Sequence, residues 1–91
     1  MKLSSIDFNK LLDLGCGSGR TIDFFDKNFK NKYFIGIEYF SNQYNYSKKN
    51  FLDRKNIKII QADFTKDDFF QYDSDCYFLN NPFKKIFQKS D

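Results

Sequence analysis

With 91 residues and a net charge of +3, the chain is at most one domain, small for an α/β one and too mildly basic to argue for nucleic acid or a membrane surface. There is no N-terminal apolar h-region and no long apolar run, so nothing points to secretion or a membrane span, and cytoplasm is the expected compartment. Two cysteines, Cys16 and Cys76, make no disulfide framework, and without any His they make no zinc site either; no metal is expected.

Read in chain order, strand and helix signals alternate. Residues 1–10 carry Leu3, Ile6 and Phe8 and are expected to pack loosely as a lead-in. Lys10 to Leu14 is a first strand. From Ser18 to about Lys30 the spacing turns helical, with Ile22, Phe25 and Phe29 on one face and Asp23, Asp26, Lys27 and Lys30 on the other. Tyr33 to Glu38 is a short run apolar on both faces, as a buried parallel strand requires. Ser41 is the expected N-cap of a second helix reaching about Asp53, its apolar side formed by Phe40, Tyr44, Phe51 and Leu52.

Asn56 to Gln61 is a third strand, followed by a polar connection from Lys66 to Tyr72 with one helical turn. Asp75 to Leu79 is a fourth strand, the sequence Asn80-Asn81-Pro82-Phe83 breaks it, and Lys84 to Lys89 is expected to start a further helix. Alternation of this kind implies a parallel sheet that binds ligands beyond the carboxyl ends of its strands. Each candidate residue falls at such an end: Gly15 after the first strand, Glu38 after the second, Asp63 after the third, Asn80 after the fourth.

The most informative stretch is Leu11 to Arg20, where a short apolar run meets Asp13 and then Gly15, Gly17 and Gly19 at alternate positions. Such a turn between strand and helix lets backbone press against a ligand, with the helix N-terminus offering N–H groups to an anionic or polar group. The dinucleotide fingerprint G-x-G-x-x-G would need glycine at position 20, which is Arg20, and this disfavours an NAD-dependent dehydrogenase. Glu38 lies 23 positions beyond Gly15 (38 − 15), about where an acid accepts ribose hydroxyls in nucleotide-binding sheets; the plain alternative is a solvated acid at a helix start. Asp63 and Phe64 suit an adenine, a carboxylate for the exocyclic amine and a ring beside the base, though an acid there also serves as a turn or cap. Asp13 anchors the loop, meets the amino end of a ligand's methionine part, or is a turn acid. Cys16 reads as a small buried loop residue rather than a nucleophile.

The string D-x-G-x-G-x-G over Asp13 to Gly19 resembles motif I of the class I S-adenosylmethionine-dependent methyltransferases, and the likeness extends over residues 10–83. It implies a Rossmann-like three-layer α/β/α fold with a mostly parallel sheet of about four strands in the order 3-2-1-4. It also implies S-adenosylmethionine as cofactor. Asp13, Gly15, Cys16, Gly17 and Gly19 would lie at the methionine portion, Glu38 at the ribose, and Tyr39, Asp63 and Phe64 at the adenine, with Asn80 closing the site at the fourth strand end.

Asn80-Asn81-Pro82-Phe83 falls where the family carries motif IV, which in amino-methyltransferases reads Asn-Pro-Pro-Tyr or a near variant. The match is partial, since Asn81 replaces the first proline; it puts Asn80, Pro82 and Phe83 on the acceptor side, and a simple proline turn is the alternative. Methyl transfer from a sulfonium needs no metal and often no general base, so a chain without His is compatible with it. Lys84, Lys85 and Lys89 would be the contacts to a phosphate backbone, but lysines so placed ordinarily form a solvated face.

A complete fold of this family has seven strands. The expectation is therefore a truncated cofactor-binding half, residues 1–91 forming one partial domain, with its fourth strand an exposed edge unless a further segment or partner covers it. Weak or no turnover is expected of the isolated chain, and the methyl acceptor is not identified. The reading from a different class is a non-catalytic nucleotide-binding or interaction module that kept the fold.

Overall fold

The computed structural model describes residues 7–66, 69–79 and 85–88. Among these residues are five strands and two helices: β1 (Lys10–Leu14), α1 (Arg20–Asn28), β2 (Tyr33–Glu38), α2 (Ser41–Asn50), β3 (Ile57–Gln61), β4 (Cys76–Leu79) and β5 (Lys85–Gln88), with a 3₁₀ turn at Phe69–Tyr72 before β4. The sheet order is β3-β2-β1-β4-β5. β1 to β4 are mutually parallel, in the order 3-2-1-4 that the sequence implies, and β5 pairs antiparallel with β4.

The register brings Leu14, Ile37, Ile60 and Leu79 level with one another, so the carboxyl ends of all four parallel strands share one rim. Alternation along the strands divides the core in two. On one face Leu11, Phe34, Ile57, Cys76 and Phe78 pack with Ile22 and Phe25 of α1 and with Phe51 beyond α2. On the other face Leu12, Leu14, Ile35, Ile37 and Tyr77 pack with Phe64 and Tyr72 of the β3–β4 connection. Both helices thus cover the same face. Gly36 sits at the centre of that contact: a Cβ there would lie 2.7 Å from Ile22 and 2.8 Å from the Cys16 sulfur, so glycine is what lets helix and loop seat on the strand.

Several local expectations are corrected. α1 starts at Arg20, not Ser18, because Gly19 has φ 90° and left-handed backbone cannot continue a helix. α2 ends at Asn50 rather than Asp53, and Phe40, not Ser41, occupies its N-cap position without a side-chain cap; the Ser41 hydroxyl is instead 2.9 Å from the Gln61 amide. Phe40 and Leu52 are exposed, and the inward stripe of that segment is Tyr44, Ser47 and Phe51, spaced three and four apart.

Phe8 does not pack loosely. It is 3% exposed and meets the rings of Phe29 and Phe34 edge-on or tilted. The expected helix over Lys84 to Lys89 is a strand over Lys85–Gln88. An open β4 edge offers unpaired N–H and C=O groups, and a following segment satisfies them best by folding back as a hairpin. The fourth strand is accordingly not an edge here.

Candidate functional site

The loop after β1 rises from the carboxyl rim. Gly15, Gly17 and Gly19 have φ of 79°, 59° and 90°, a left-handed series that residues with a Cβ adopt only under strain. Gly15 N–H and Cys16 N–H both donate to Ile37 O, at 2.8 and 2.9 Å, which binds the loop to the end of β2. A Cβ at Gly17 would meet nothing within 4 Å, so the space over it is open. Behind the loop, Gly19 has no such room: a Cβ there would lie 2.4 Å from the Phe51 ring.

Glu38 ends β2 and turns toward this loop. Its Oε1 accepts from Gly17 N–H at 2.8 Å and its Oε2 from Phe40 N–H at 2.9 Å, and the residue is 6% exposed. Each carboxylate oxygen keeps a second lone pair, so Glu38 braces the loop and still has acceptor capacity. It is not a solvated acid at a helix start.

Asp13 is the second carboxylate beneath the loop and is treated differently. It is fully buried, and neither Oδ1 nor Oδ2 has a hydrogen-bond partner among the described residues. Burial, with the nearby Glu38 charge adding to it, raises its pKa to about 7. The loop is therefore held by Glu38 rather than by the Asp13 side chain. A buried acid without a donor is costly, and a cationic or N–H-bearing ligand group is what would relieve it.

Cys16 packs under the same turn, where burial first, then Asp13 and Glu38, push its thiol up to about 12. It stays protonated at neutral pH and is no nucleophile.

At the third strand end, Asp63 Oδ1 accepts from the Thr65 N–H at 3.0 Å and from its hydroxyl, and these bonds hold the carboxyl below the usual range. Phe64, half-buried, approaches the glycine loop: its ring edge would be 3.8 Å from a Cβ at Gly15. The Ala62 N–H donates to Glu38 O at 3.2 Å, joining the second and third strand ends. Tyr39 and Phe40 stand exposed beside Glu38 with their rings edge-on at 5.2 Å.

The structure therefore brings together Asp13, Gly15, Cys16, Gly17, Glu38, Tyr39 and Phe64 around one end of the sheet, with Gly19 at the back of the loop and Asp63 at the outer corner. Asn80, Pro82 and Phe83 lie outside the described residues. Two contributors escaped the sequence reading. Phe51 buttresses Gly19, and Gly36 seats the loop; a glycine inside an otherwise apolar strand was the available signal for the second.

A fit to an adenosyl amino-acid sulfonium follows from these groups. Glu38 offers carboxylate acceptors, the open backbone at Gly17 offers close approach, and Asp13 keeps a carboxyl without a partner beneath the loop. Among the described residues no cluster of His, Cys, Asp and Glu is set to hold a metal, and no helix is long and apolar enough to cross a membrane.

The sequence profile of the family described as "Methyltransferase domain" matches residues 11–91. No curated protein matches the chain. Among solved structures, StiE O-MT (residues 942–1257) is 25% identical with a TM-score of 0.64, covering 72% of this chain and 25% of that one. An RNA methyltransferase from Salinibacter ruber in complex with S-adenosyl-L-homocysteine is 23% identical with a TM-score of 0.64, covering 78% and 46%. The plantazolicin methyltransferase BpumL in complex with SAH is 18% identical with a TM-score of 0.67, covering 81% and 28%. The chain thus spans about a quarter of the first of these chains and under half of the second.

Proposed function

Because this chain belongs to the methyltransferase-domain family, we propose that it forms the S-adenosylmethionine-binding portion of an enzyme that transfers a methyl group from that cofactor to an acceptor. The observation that carries this reading is the pairing of the open glycine loop with two buried carboxylates of unlike condition, Glu38 hydrogen-bonded and Asp13 not. The relatives with S-adenosylhomocysteine bound support the choice of ligand over NAD.

In this reading Glu38 accepts the ribose hydroxyls while still bracing Gly17. Asp13 faces the ammonium of the methionine part, which supplies the missing donor and holds the acid ionised. Gly15 and Gly17 admit the methionine backbone, and Tyr39, Phe64 and Asp63 lie along the adenine. The bound cofactor supplies a methyl group already activated on a sulfonium, so what the chain's own residues contribute is grip, orientation and exclusion of water.

Asn80, Pro82 and Phe83 are assigned to the acceptor side, where an asparagine and an aromatic ring suit a planar amine. Of the titratable groups at the rim, Cys16 is held protonated, Glu38 is engaged by two N–H donors, and Asp13 is buried beneath the loop.

Calorimetry of the 91-residue chain with S-adenosylhomocysteine, NAD and ATP tests the reading. Binding of the first alone is expected, weakened about tenfold or more in Glu38→Gln, the loss typical of one charged hydrogen-bond acceptor. Equal or tighter binding of NAD or ATP overturns it.

A further inference from the structure

β3 closes the sheet on the side away from β5, with β2 as its one strand neighbour among the described residues. Phe34 N–H donates to Asn56 O, and Ala62 N–H donates to Glu38 O. Residues 56, 58, 60 and 62 therefore turn their backbone groups toward β2, and alternation turns those of Ile59 and Gln61 outward. The Ile57 N–H is already spent on Arg54 O.

A groove of about 720 Å³ follows this edge, walled by Tyr44 and Lys48 of α2 on the helix face and by Tyr72 on the other. Arg54, Lys55 and Lys58 also line it, and no Asp or Glu lines it among the described residues. Arg54 is committed to Asp23 and Asp26 at 2.8 and 3.1 Å, whereas Lys55 and Lys58 are exposed and have no ion-pair partner among the described residues. The edge thus combines outward-facing peptide groups, aromatic walls on both sides and a one-signed row of charge.

We propose that the β3 edge docks an extended acidic peptide segment, added to the sheet as a sixth strand. Its backbone pairs with Ile59 and Gln61, its Asp or Glu side chains meet Lys55 and Lys58, and alternation turns its apolar side chains to the helix face beside the exposed Leu52. Charge selects this occupant. A second copy pairing edge to edge brings the Lys55 and Lys58 charges of both copies onto one interface, which like charges oppose.

A single-stranded nucleic acid wants open ring faces for its bases. Lys48 Nζ sits 5.5 Å over the Tyr44 ring and 3.2 Å from its hydroxyl, while Tyr44 also packs against the core, so that ring has no free stacking face. The outward C=O groups of the edge also find no donor on a phosphate backbone. This proposal is independent of the methyl-transfer reading.

The test is fluorescence anisotropy of the full chain with a short fluorescein-labelled peptide that alternates glutamate and valine, together with amide shifts from NMR. The expected result is binding at low salt that shifts the Ile59 and Gln61 amides. The same peptide with lysine for glutamate does not bind, and N-methylation of alternate peptide bonds, which removes edge donors and leaves the charge, abolishes binding. Lys55→Glu combined with Lys58→Glu weakens binding by about tenfold or more, as expected for two reversed charges at an interface, and circular dichroism confirms that this variant is folded. The proposal is overturned by no binding of the acidic peptide, by equal binding of the N-methylated peptide, by indifference to the two substitutions, or by an oligouridylate that occupies the same edge when the peptide does not.

Discussion

At the amino-terminal rim of the sheet polar side chains are spent on one another and on backbone, while at the carboxyl rim one buried carboxyl, that of Asp13, is left unpaired. Asp75 accepts from the Asn9 and Lys10 N–H groups at 3.0 and 2.9 Å, and Asn56 donates to Asp26 and to Lys32 O. Arg54 meanwhile closes onto Asp23 and Asp26. At the other rim Asp13 has both oxygens unpaired, Tyr39 and Phe40 are exposed, and the glycine loop holds left-handed backbone. One end of the sheet satisfies its own polar groups; the other keeps an unpaired buried carboxyl and open backbone, which a stable fold tolerates where a ligand completes them.

The largest effect that sharpens this contrast is expected from Gly19→Ala. It places a Cβ 2.4 Å from Phe51 at φ 90°, and the combined overlap and backbone strain should cost roughly 3–5 kcal/mol, leaving little folded protein in a urea titration. A near-native urea midpoint would show that the loop gives way easily.

Next comes the pH dependence set by Asp13. Its pKa is 3.8 as a free side chain and about 7 in the fold, so the folded chain keeps a proton that the unfolded chain releases. Stability from this group is therefore full below about pH 4, falls as pH rises toward 7 and levels off above it; at about 1.4 kcal/mol per unit the loss is at most about 4 kcal/mol. Asp23 and Asp63 act oppositely. Hydrogen bonds from Lys27 and Arg54 to the first, and from Thr65 to the second, lower their pKa values, so their contribution is lost only as pH falls below the ordinary carboxylate range. Urea midpoints measured from pH 4 to 8 should decline for the native chain and stay level for Asp13→Asn. Equal slopes in the two would remove Asp13 as the buried proton site.

At the amino rim, Asp75→Asn should weaken two backbone hydrogen bonds to a charged acceptor and cost about 1–2 kcal/mol, with affinity for S-adenosylhomocysteine unchanged. A matching loss of affinity would mean that the two rims are coupled. The smallest effect on folding is expected for Asp63→Asn, whose side chain is solvent-facing. Its urea midpoint should fall only slightly, since an amide oxygen still accepts from Thr65, while ligand affinity drops several-fold, the scale of one exposed polar contact. No change in affinity would place adenine away from this corner.

Much of this arrangement was legible in the sequence because it is local. The alternate glycines after Lys10–Leu14 dictate a left-handed turn. The all-apolar Tyr33–Ile37 run reads as a doubly covered strand, and Glu38 and Asp63 follow from counting to strand ends. What escaped depends on neighbours distant in the chain. β5 forms because β4 needs a partner, which no property of residues 85–88 announces. The isolation of Asp13 was invisible because it depends on which donors fail to reach it, and the choice between Asp13 and Glu38 as the loop's anchor is settled by orientation rather than residue type. Phe40 and Leu52 looked like core by composition alone.

The most direct measurement is a titration of the chain with S-adenosylhomocysteine followed through backbone amide resonances. The account predicts that Gly15, Gly17, Glu38, Tyr39 and Phe64 shift together and saturate with one affinity, while Asn9, Lys10 and Asp75 at the far rim stay still. Shifts confined to the far rim or to the β3 edge, with Gly17 and Glu38 unmoved, would contradict it.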